Sequence, residues 1–313
     1  MSVIQTQDRA VPLKYKHPVL FSEIDGVIHM PGATKEILQT VSKLETKNTD
    51  VIIATWPKSG TTWAMEIVWQ IFNDAQISNT RIDQKVKFIE LLYMPSSSGD
   101  FHSPEDVKKA FENLSSPRLL KTHLPYSLVP KGDINNNNGA KIIWVVRNPK
   151  DCAVSYYHHY NGFAILDCDC TWDEFFEHFM NGKLVGGCWF QYTREWWQHR
   201  HDPKILVIKY EDLKKDAKKT IQKIASFVNK PVNEKLLQRI VEQTTFRAMQ
   251  NRPAFDHSWF GKKPGFEFNF IRKGKVGDWA KYFTDEQNKR FEERFDKEMK
   301  GSGLTMDFFN YTE

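Results

Sequence analysis

A loop of nine residues, TWPKSGTTW at positions 55–63, combines one cation with several hydroxyl groups in a way that suits an anion. Lys58 supplies a point charge, and Gly60 lets the main chain approach a ligand closely. Hydroxyl donors stand at Ser59, Thr61 and Thr62. The loop lies between an apolar run, VIIAT, and an amphipathic stretch, and such a strand–loop–helix aims main-chain N–H groups at one spot. The loop therefore predicts a phosphate or sulfate site, with an ordinary capped turn as the alternative.

Two further side chains with acid–base or anion-binding chemistry come directly after predicted strands. His123 ends the run RLLKTH, and its ordinary pKa lies near working pH, so it is a candidate general base. Arg147 leaves the run IIWVV, and Ser155 lies in the predicted helix that Pro149 opens. An arginine fork and a hydroxyl so placed can hold one phosphate. A structural histidine is the alternative for His123 taken alone.

A late segment, RKGKVGDW at positions 272–279, places cations and glycines in a stretch without helical periodicity. Loops of this composition suit a phosphate because their main-chain N–H groups are accessible. The candidates are Arg272, Lys273 and Gly274, and a flexible basic loop is the alternative. The surrounding residues 251–277 hold two prolines and five phenylalanines. A long irregular segment inside a compact domain is more often functional than idle, so we expect this one to serve a site.

These side chains need a frame of strands and helices to bring them together. Short apolar runs that look like buried parallel strands occur at 51–55, 142–146 and 205–210, with a weaker one at 118–123. Helix-like stretches lie at 62–74, 151–160, 172–180, 189–200 and 213–228. This alternation predicts an α/β fold with a central, mostly parallel sheet flanked by helices. We expect one domain over residues 1–313, with residues 1–15 as a flexible N-terminus.

The loop TWPKSGTTW resembles the loop of cytosolic sulfotransferases, usually TYPKSGTTW, that binds 3′-phosphoadenosine-5′-phosphosulfate (PAPS). Five more segments resemble family motifs in family order: KTHLP at 121–125, RNPKD at 147–151 with Ser155, YED at 210–212, TTF at 244–246 and RKGKVGDW at 272–279. The similarity runs from about residue 15 to about residue 305, nearly the whole chain. On this resemblance the chain is identified as a PAPS-dependent sulfotransferase whose P-loop-like segment binds the phosphosulfate.

The resemblance implies a role for each matched residue. The 5′-phosphosulfate would be held by Lys58, Ser59, Gly60, Thr61 and Thr62, and the 3′-phosphate by Arg147, Ser155, Arg272, Lys273 and Gly274. The adenine ring would stack between Trp63 and Phe246, next to Tyr210 and Thr245. The catalytic residues would be His123 as base, Lys58 at the leaving phosphate oxygen, and Lys121 at the sulfuryl oxygens. A sulfuryl group carries less negative charge than a phosphoryl group, so no metal ion is expected.

The acceptor pocket is expected to be apolar and aromatic. Candidates are Phe21, Phe88, Leu91, His159 and Phe163, each of which is also plausible as plain core. His159 stands where phenol-sulfating relatives usually have Phe, which argues against a simple phenol preference. Residues 254–270 are expected to cover the pocket, with phenylalanines at 255, 260, 266, 268 and 270. The acceptor stays open as a small, largely hydrophobic alcohol, phenol or amine.

Composition excludes several other classes of partner. The net charge of +5 is too small to argue for nucleic acid, and no apolar run is long enough for a membrane helix or signal peptide. We therefore expect a cytoplasmic protein with free cysteine thiols and no metal site. The dimer motif of vertebrate relatives is degraded at Ala280, Asp285 and Lys289, although Thr284 is kept. A monomer or weak homodimer is expected.

Three alternatives to a sulfotransferase deserve comparison. A P-loop kinase needs G-x-x-x-x-G-K-[ST], but here Lys58 precedes Gly60, and no carboxylate is placed for Mg²⁺. A non-catalytic nucleotide-binding protein is disfavoured because Lys58 and His123 are both present. A family member that uses sulfation to eliminate water from an alcohol stays open, and the mass of the product would distinguish it.

Overall fold

The computed structural model describes residues 21–95, 100–132, 138–164, 166, 168–255, 261, 263 and 269–311. The strands are β1 (Ser22–Ile24), β2 (Val27–His29), β3 (Val51–Thr55), β4 (Lys87–Phe88), β5 (Leu119–Thr122), β6 (Lys141–Val146) and β7 (Ile205–Lys209). The helices are α1 (Lys35–Ser42), α2 (Thr61–Phe72), α3 (Ile82–Lys85), α4 (Pro104–Glu112), α5 (Pro149–Gly162), α6 (Trp172–Met180), α7 (Trp189–Gln198), α8 (Tyr210–Lys215), α9 (Ala217–Phe227), α10 (Glu234–Gln243), α11 (Phe246–Gln250) and α12 (Asp285–Met299). Short 3₁₀ turns occur at Ile89–Leu92, Tyr126–Leu128, Pro253–Phe255, Asp278–Lys281 and Met306–Phe309.

Five of these strands form one parallel sheet in the order β4-β5-β3-β6-β7. The central strand β3 is buried along its whole length, as its unbroken apolar sequence VIIAT requires of a strand covered on both faces. β1 and β2 form a separate antiparallel hairpin. The prediction of an α/β domain with a mostly parallel sheet flanked by helices is therefore confirmed.

Alternating side chains of β3 separate the interior into two cores. Ile52 and Ala54 face a large core that includes Trp144 of β6, together with residues of α1, α5, α6, α7 and α12. Val51 and Ile53 face a second core built with α2, α9 and α10. Because the period of a strand is two, a single apolar strand serves both layers. The sheet is thus fixed on both sides, and the loops at its carboxyl edge start from a rigid base.

Two details differ from the sequence-based expectation. The predicted helix at 213–228 is two helices, α8 and α9, because Asp216 leaves the helical conformation (φ −146°, ψ 82°) and caps α9 by accepting from the Lys219 N–H at 2.9 Å. Cys168 and Cys170 are joined by a disulfide bond, so the prediction of free thiols is wrong for this pair, whereas Cys152 and Cys188 are free and buried. In the part of the chain that the structure describes, no helix is long and apolar enough to cross a membrane.

Candidate active site

The carboxyl ends of three neighbouring strands bring the predicted residues to one edge of the sheet. The loop at 55–63, called the phosphate loop below, follows β3. His123 follows β5 and Arg147 follows β6. The register pairs Ala54 with Thr122 and Thr55 with Val145, so the three strands end at nearly the same level. A cavity of about 450 Å³ opens there. Clefts outside the carboxyl ends of the strands are the usual ligand sites of open α/β sheets.

Most of the predicted site residues line this cavity. They are Lys58, Gly60, Thr61, Thr62, Trp63, Phe88, Lys121, His123, Arg147, Ser155, His159, Phe163, Tyr210, Thr245, Phe246, Arg272, Lys273 and Gly274. Ser59 is an exception, because its buried Oγ lies 3.4 Å from Cys152 Sγ. Phe21 and Leu91 are also not among the described residues that line it. The phenylalanines at 260, 266 and 268 lie outside the described residues.

The phosphate loop has a tight and partly strained main chain. Lys58 adopts a positive φ of 68°, which is uncommon for a residue other than glycine, and such strain is often found at ligand sites. Gly60 has a φ of 104°, and a Cβ atom at this position would lie 2.7 Å from Cδ2 of Tyr210. α2 begins immediately afterwards at Thr61. The glycine is therefore required both by the conformation and by the close approach of the Tyr210 ring.

His123 is fixed in the tautomer that a base requires. Its Nδ1 lies 2.8 Å from the carbonyl oxygen of Thr55, which can only accept, so Nδ1 carries the proton and Nε2 keeps a lone pair. The Thr55 hydroxyl lies 3.1 Å from the same nitrogen and 2.7 Å from the hydroxyl of Thr61. Burial, followed by the charge of Lys121, lowers the pKa of His123 to about 3. The imidazole is therefore neutral at physiological pH.

Cations surround the cavity from several elements. Lys58 Nζ lies 3.5 Å from Nδ1 of His159 and 4.1 Å from the ring centroid of Phe270. Lys121 Nζ lies 3.7 Å above the ring of Phe88. Burial, followed by neighbouring cations, lowers the pKa of Lys58 to about 7, and burial lowers the pKa of Lys121 to about 8. Both ammonium groups would gain from a nearby anion, because an opposite charge offsets the cost of burial.

Arg147 joins the phosphate loop to the late glycine-rich segment. Its Nη1 donates to the carbonyl oxygen of Lys58 at 3.2 Å, and its Nη2 donates to that of Lys275 at 3.1 Å. Its Nε is buried without a hydrogen-bond partner among the described residues, and its guanidinium lies 4.3 Å from the ring centroid of Tyr210. A buried N–H donor without a partner is costly, so this group favours an anionic ligand beside it.

The segment 272–279 is held against α5 by a carboxylate that sequence reasoning did not single out. Asp151 accepts from the main-chain N–H of Gly277 at 2.7 Å and of Trp279 at 3.1 Å. Asp278, in turn, lies 3.0 Å from Nη2 of Arg272 and 3.0 Å from Nζ of Lys273. These contacts hold the two cations at the cavity wall. The KD pair of the RNPKD string was the only sequence signal for Asp151.

Aromatic rings form the wall around Trp63. The rings of Trp63 and Tyr210 meet edge to face with centroids 5.6 Å apart. Phe246 begins α11 and also faces the cavity, in contact with the main chain of Gly274, where a Cβ atom would lie 2.5 Å from Cδ2 of the ring. Flat aromatic faces of this kind accept a nucleobase by stacking.

The other half of the cavity is more apolar. His159, Phe163 and Phe270 form a cluster there, with ring centroids 4.5 Å apart for His159 and Phe163 and 6.1 Å apart for Phe163 and Phe270. The hairpin β1–β2 adds residues 27–30, and Tyr93 and Glu90 come from the turn after β4. Sequence reasoning missed these contributors, because strands of two or three residues are too short to show a period.

Comparisons with known proteins agree with this site. A family model described as a sulfotransferase domain matches residues 48–303. Human sulfotransferase 1C2 is 38% identical over 291 residues, covering 91% of this chain and 95% of that protein. The crystal structure of mouse sulfotransferase SULT7A1 complexed with PAP is 29% identical with a TM-score of 0.71, covering 90% of this chain and 96% of the other. That of retinol dehydratase with retinol and PAP is 28% identical with a TM-score of 0.75, covering 86% and 87%. This chain belongs to the sulfotransferase family, and it is an enzyme that moves a sulfuryl group from PAPS to a small acceptor.

Proposed function

We propose that the cavity holds PAPS along the carboxyl edge of the sheet and transfers its sulfuryl group to a small acceptor bound beside His159 and Phe163. The observation that carries this proposal is the meeting of the phosphate loop, His123 and a set of cations in one cavity at the ends of three adjacent strands. The product nucleotide, 3′-phosphoadenosine-5′-phosphate (PAP), is the ligand in the two solved relatives named above.

The side chains present suit the chemical groups of PAPS. The N-terminus of α2 borders the cavity at Thr61 and Thr62, and main-chain N–H groups at a helix N-terminus favour a phosphate. The unpartnered Nε of Arg147 is available for the 3′-phosphate, with Ser155, Arg272 and Lys273 around it. Adenine would lie between Trp63 and Phe246. Among the described residues, no cluster of three or more His, Cys, Asp or Glu side chains is placed to hold a metal ion.

In the proposed reaction His123 acts as the base. Its Nε2 accepts the proton of the acceptor hydroxyl or amine, while Thr55 holds Nδ1 and keeps the ring oriented. PAPS supplies the sulfuryl group, whose bond to the leaving phosphate oxygen breaks as the acceptor attacks in line. Negative charge beside Lys58 and Lys121 raises the pKa of His123, because it offsets the two cations that lower it.

The two lysines have different positions in this scheme. Lys58 neutralises the leaving phosphate oxygen, and Lys121 with Thr61 and Thr62 stabilises the sulfuryl oxygens, where charge develops. Fixed cations in a buried site act strongly because little reorganisation is needed during the reaction. The Lys58 ammonium lies over the Phe270 ring and 3.5 Å from Nδ1 of His159, where the phosphate-binding part of the cavity meets the apolar part.

The acceptor half suits a small, largely hydrophobic molecule with a hydroxyl or amine group. Phe88, Phe163 and Phe270 provide apolar walls, and His159 introduces a polar ring next to Lys58. We therefore propose an alcohol, phenol or amine as acceptor, and an enzyme that works in the cytoplasm as a monomer or weak homodimer. The absence of most of the usual dimer motif at 280–289 supports a monomer or a weak homodimer.

Calorimetry with PAP, with and without Mg²⁺ and with ATP as the control nucleotide, tests the donor site. We expect metal-independent binding of PAP that is much tighter than that of ATP. Tight binding of ATP only with Mg²⁺ would overturn the assignment in favour of a kinase. Incubation with PAPS and a panel of alcohols, phenols and amines, followed by mass spectrometry, then separates a stable sulfate from a product that has lost water.

A further inference from the structure

One of the charged side chains that line the described part of the cavity is acidic. Among the described residues that line it, Glu90 is the single Asp or Glu, against seven basic residues: Lys58, Lys121, Arg147, Lys214, Arg272, Lys273 and Lys275. A carboxylate there repels an anionic donor, and it is also costly to bury. Because of these two costs, we expect the Glu90 carboxylate to make a favourable contribution to the reaction.

Glu90 is attached to the main chain that carries the base. Its Oε1 accepts from the main-chain N–H of His123 at 2.6 Å, across 33 residues of sequence. The residue is only 3% exposed, and it sits in the 3₁₀ turn that follows β4. The second hydrogen bond on His123, from Nδ1 to the Thr55 carbonyl, orients the ring. Together these bonds fix both the backbone and the side chain of the base.

Glu90 and Lys121 line the same cavity from neighbouring segments of the chain fold. β4 pairs with β5 so that Phe88 is opposite Lys121, and the Lys121 ammonium lies on the Phe88 ring. The attraction of Glu90 raises the pKa of Lys121 against the larger effect of burial. Other groups that face this pair are Asp83 of α3, Lys58 of the phosphate loop, His123, Tyr93 and Tyr192 of α7.

We infer that Glu90 is a positioning residue for sulfuryl transfer, which anchors the main chain of His123 and keeps Lys121 in its charged form. This inference rests on the proposed function, because it takes His123 as the base and Lys121 as the cation at the sulfuryl oxygens. The two contributions are separable, since an amide can still accept the His123 N–H but carries no charge.

Two substitutions separate these contributions. Glu90→Gln keeps an oxygen for the His123 N–H and removes the charge, whereas Glu90→Met has a similar length and removes both. Burial raises the pKa of the Glu90 carboxyl, so the wild-type residue resembles the neutral amide more closely as the pH falls. As the pH rises, the wild type gains a negative charge that Glu90→Gln lacks. Their activities should therefore diverge on the alkaline side.

The measurement is the pH profile of kcat/KM for PAPS, which reports groups of the free enzyme. For Glu90→Gln we expect activity within about threefold of wild type at pH 6.5 and an alkaline limb that begins at lower pH and falls more steeply, because Lys121 loses its proton earlier without the negative charge. For Glu90→Met we expect kcat to fall by about tenfold or more at every pH, because the base is no longer anchored. PAP affinity at pH 6.5 should stay within about threefold in both variants.

Glu66→Gln is the matched control. Glu66 is a fully buried carboxylate of α2 that binds Arg252 at 2.8 Å and Lys85 at 3.5 Å, outside the cavity. The Glu66→Gln substitution should lower the midpoint of thermal unfolding but leave the pH profile of kcat/KM unchanged. An unshifted alkaline limb in Glu90→Gln, or near-normal kcat in Glu90→Met, would overturn the inference. A wild-type protein that transfers no sulfuryl group to any acceptor would instead sink the proposed function.

Discussion

Replacing Gly274 by alanine tests whether Phe246 stacks on the adenine base. Gly274 has a φ of 61°, and a Cβ atom there would lie 2.5 Å from Cδ2 and 3.0 Å from Cε2 of Phe246. Ordinary carbon contacts are about 3.5–4.0 Å, so the ring has to move by roughly 1 Å or more. Gly277, in the same loop, has a φ of 81° and no heavy atom within 4 Å of the position of such a Cβ.

The variants Gly274→Ala and Gly277→Ala therefore share the conformational cost of positive φ, but only one of them disturbs the Phe246 ring. Both variants suffer the conformational cost of a side chain at positive φ, about 1–2 kcal/mol. Only Gly274→Ala displaces the Phe246 ring. Base–aromatic stacking contributes about 1–3 kcal/mol, so losing it raises the Kd for PAP by about 5- to 150-fold. Gly277→Ala should change the Kd by much less, since the Gly277 N–H can still donate to Asp151.

Calorimetric titration with PAP, combined with a double-mutant cycle, makes the test specific. If Gly274→Ala acts through the ring, then adding it to Phe246→Ala should weaken PAP binding little further. Thermal midpoints of Gly274→Ala and Gly277→Ala should fall by similar amounts. Equal PAP affinities for these two variants, or full additivity with Phe246→Ala, would refute the stacking assignment.

Three further results are expected. PAP binding at pH 8 should take up about one proton, and affinity should fall from pH 7 to 9, because burial lowers the pKa of Lys58 to about 7 and the 5′-phosphate favours its charged form. Titration in buffers of different ionisation enthalpy measures this uptake, and its absence would contradict the placement of Lys58 at the leaving phosphate oxygen. His123→Ala should lower kcat by about 10²–10⁴-fold and leave PAP affinity within twofold, so normal turnover would rule out the base. His159→Phe should lower the KM for a simple phenol by about fivefold, since an apolar ring replaces a polar one; an unchanged KM would mean that His159 does not contact the acceptor.

The parallel sheet was predictable because its strands are buried on both faces. In a chain with alternating helical segments, an uninterrupted apolar run such as VIIAT or IIWVV is compatible with few structures other than a buried parallel strand. The hairpin β1–β2 and the strand β4 were not predictable, since two or three residues carry no period. The sequence did not reveal the break between α8 and α9, because the apolar periodicity continues across both helices. The break depends on Asp216, which leaves the helical conformation and caps α9 with its side chain.

The donor half of the site could be predicted more fully than the acceptor half. The residues proposed to hold the phosphates come from contiguous motifs whose order and spacing are visible in the sequence, as at 55–63 and 272–279. Residues that line the other part of the cavity, such as Tyr93, Val185 and residues 27–30, come from distant segments, and apolar side chains in a pocket look like core residues in the sequence. Phe21 and Leu91 illustrate this limit, because neither is among the described residues that line the cavity.

The order β5-β3-β6 also fixes how far apart two of the proposed site residues leave the sheet. His123 leaves one flanking strand and Arg147 leaves the other, so the roots of the two side chains are separated by two strand spacings, roughly 10 Å. Hydrogen bonds of the sheet maintain this separation, and loop movements cannot change it. The sheet therefore fixes the distance between the main-chain positions of the proposed base and of the arginine at the distal phosphate, so any adjustment to a donor is left to the two side chains.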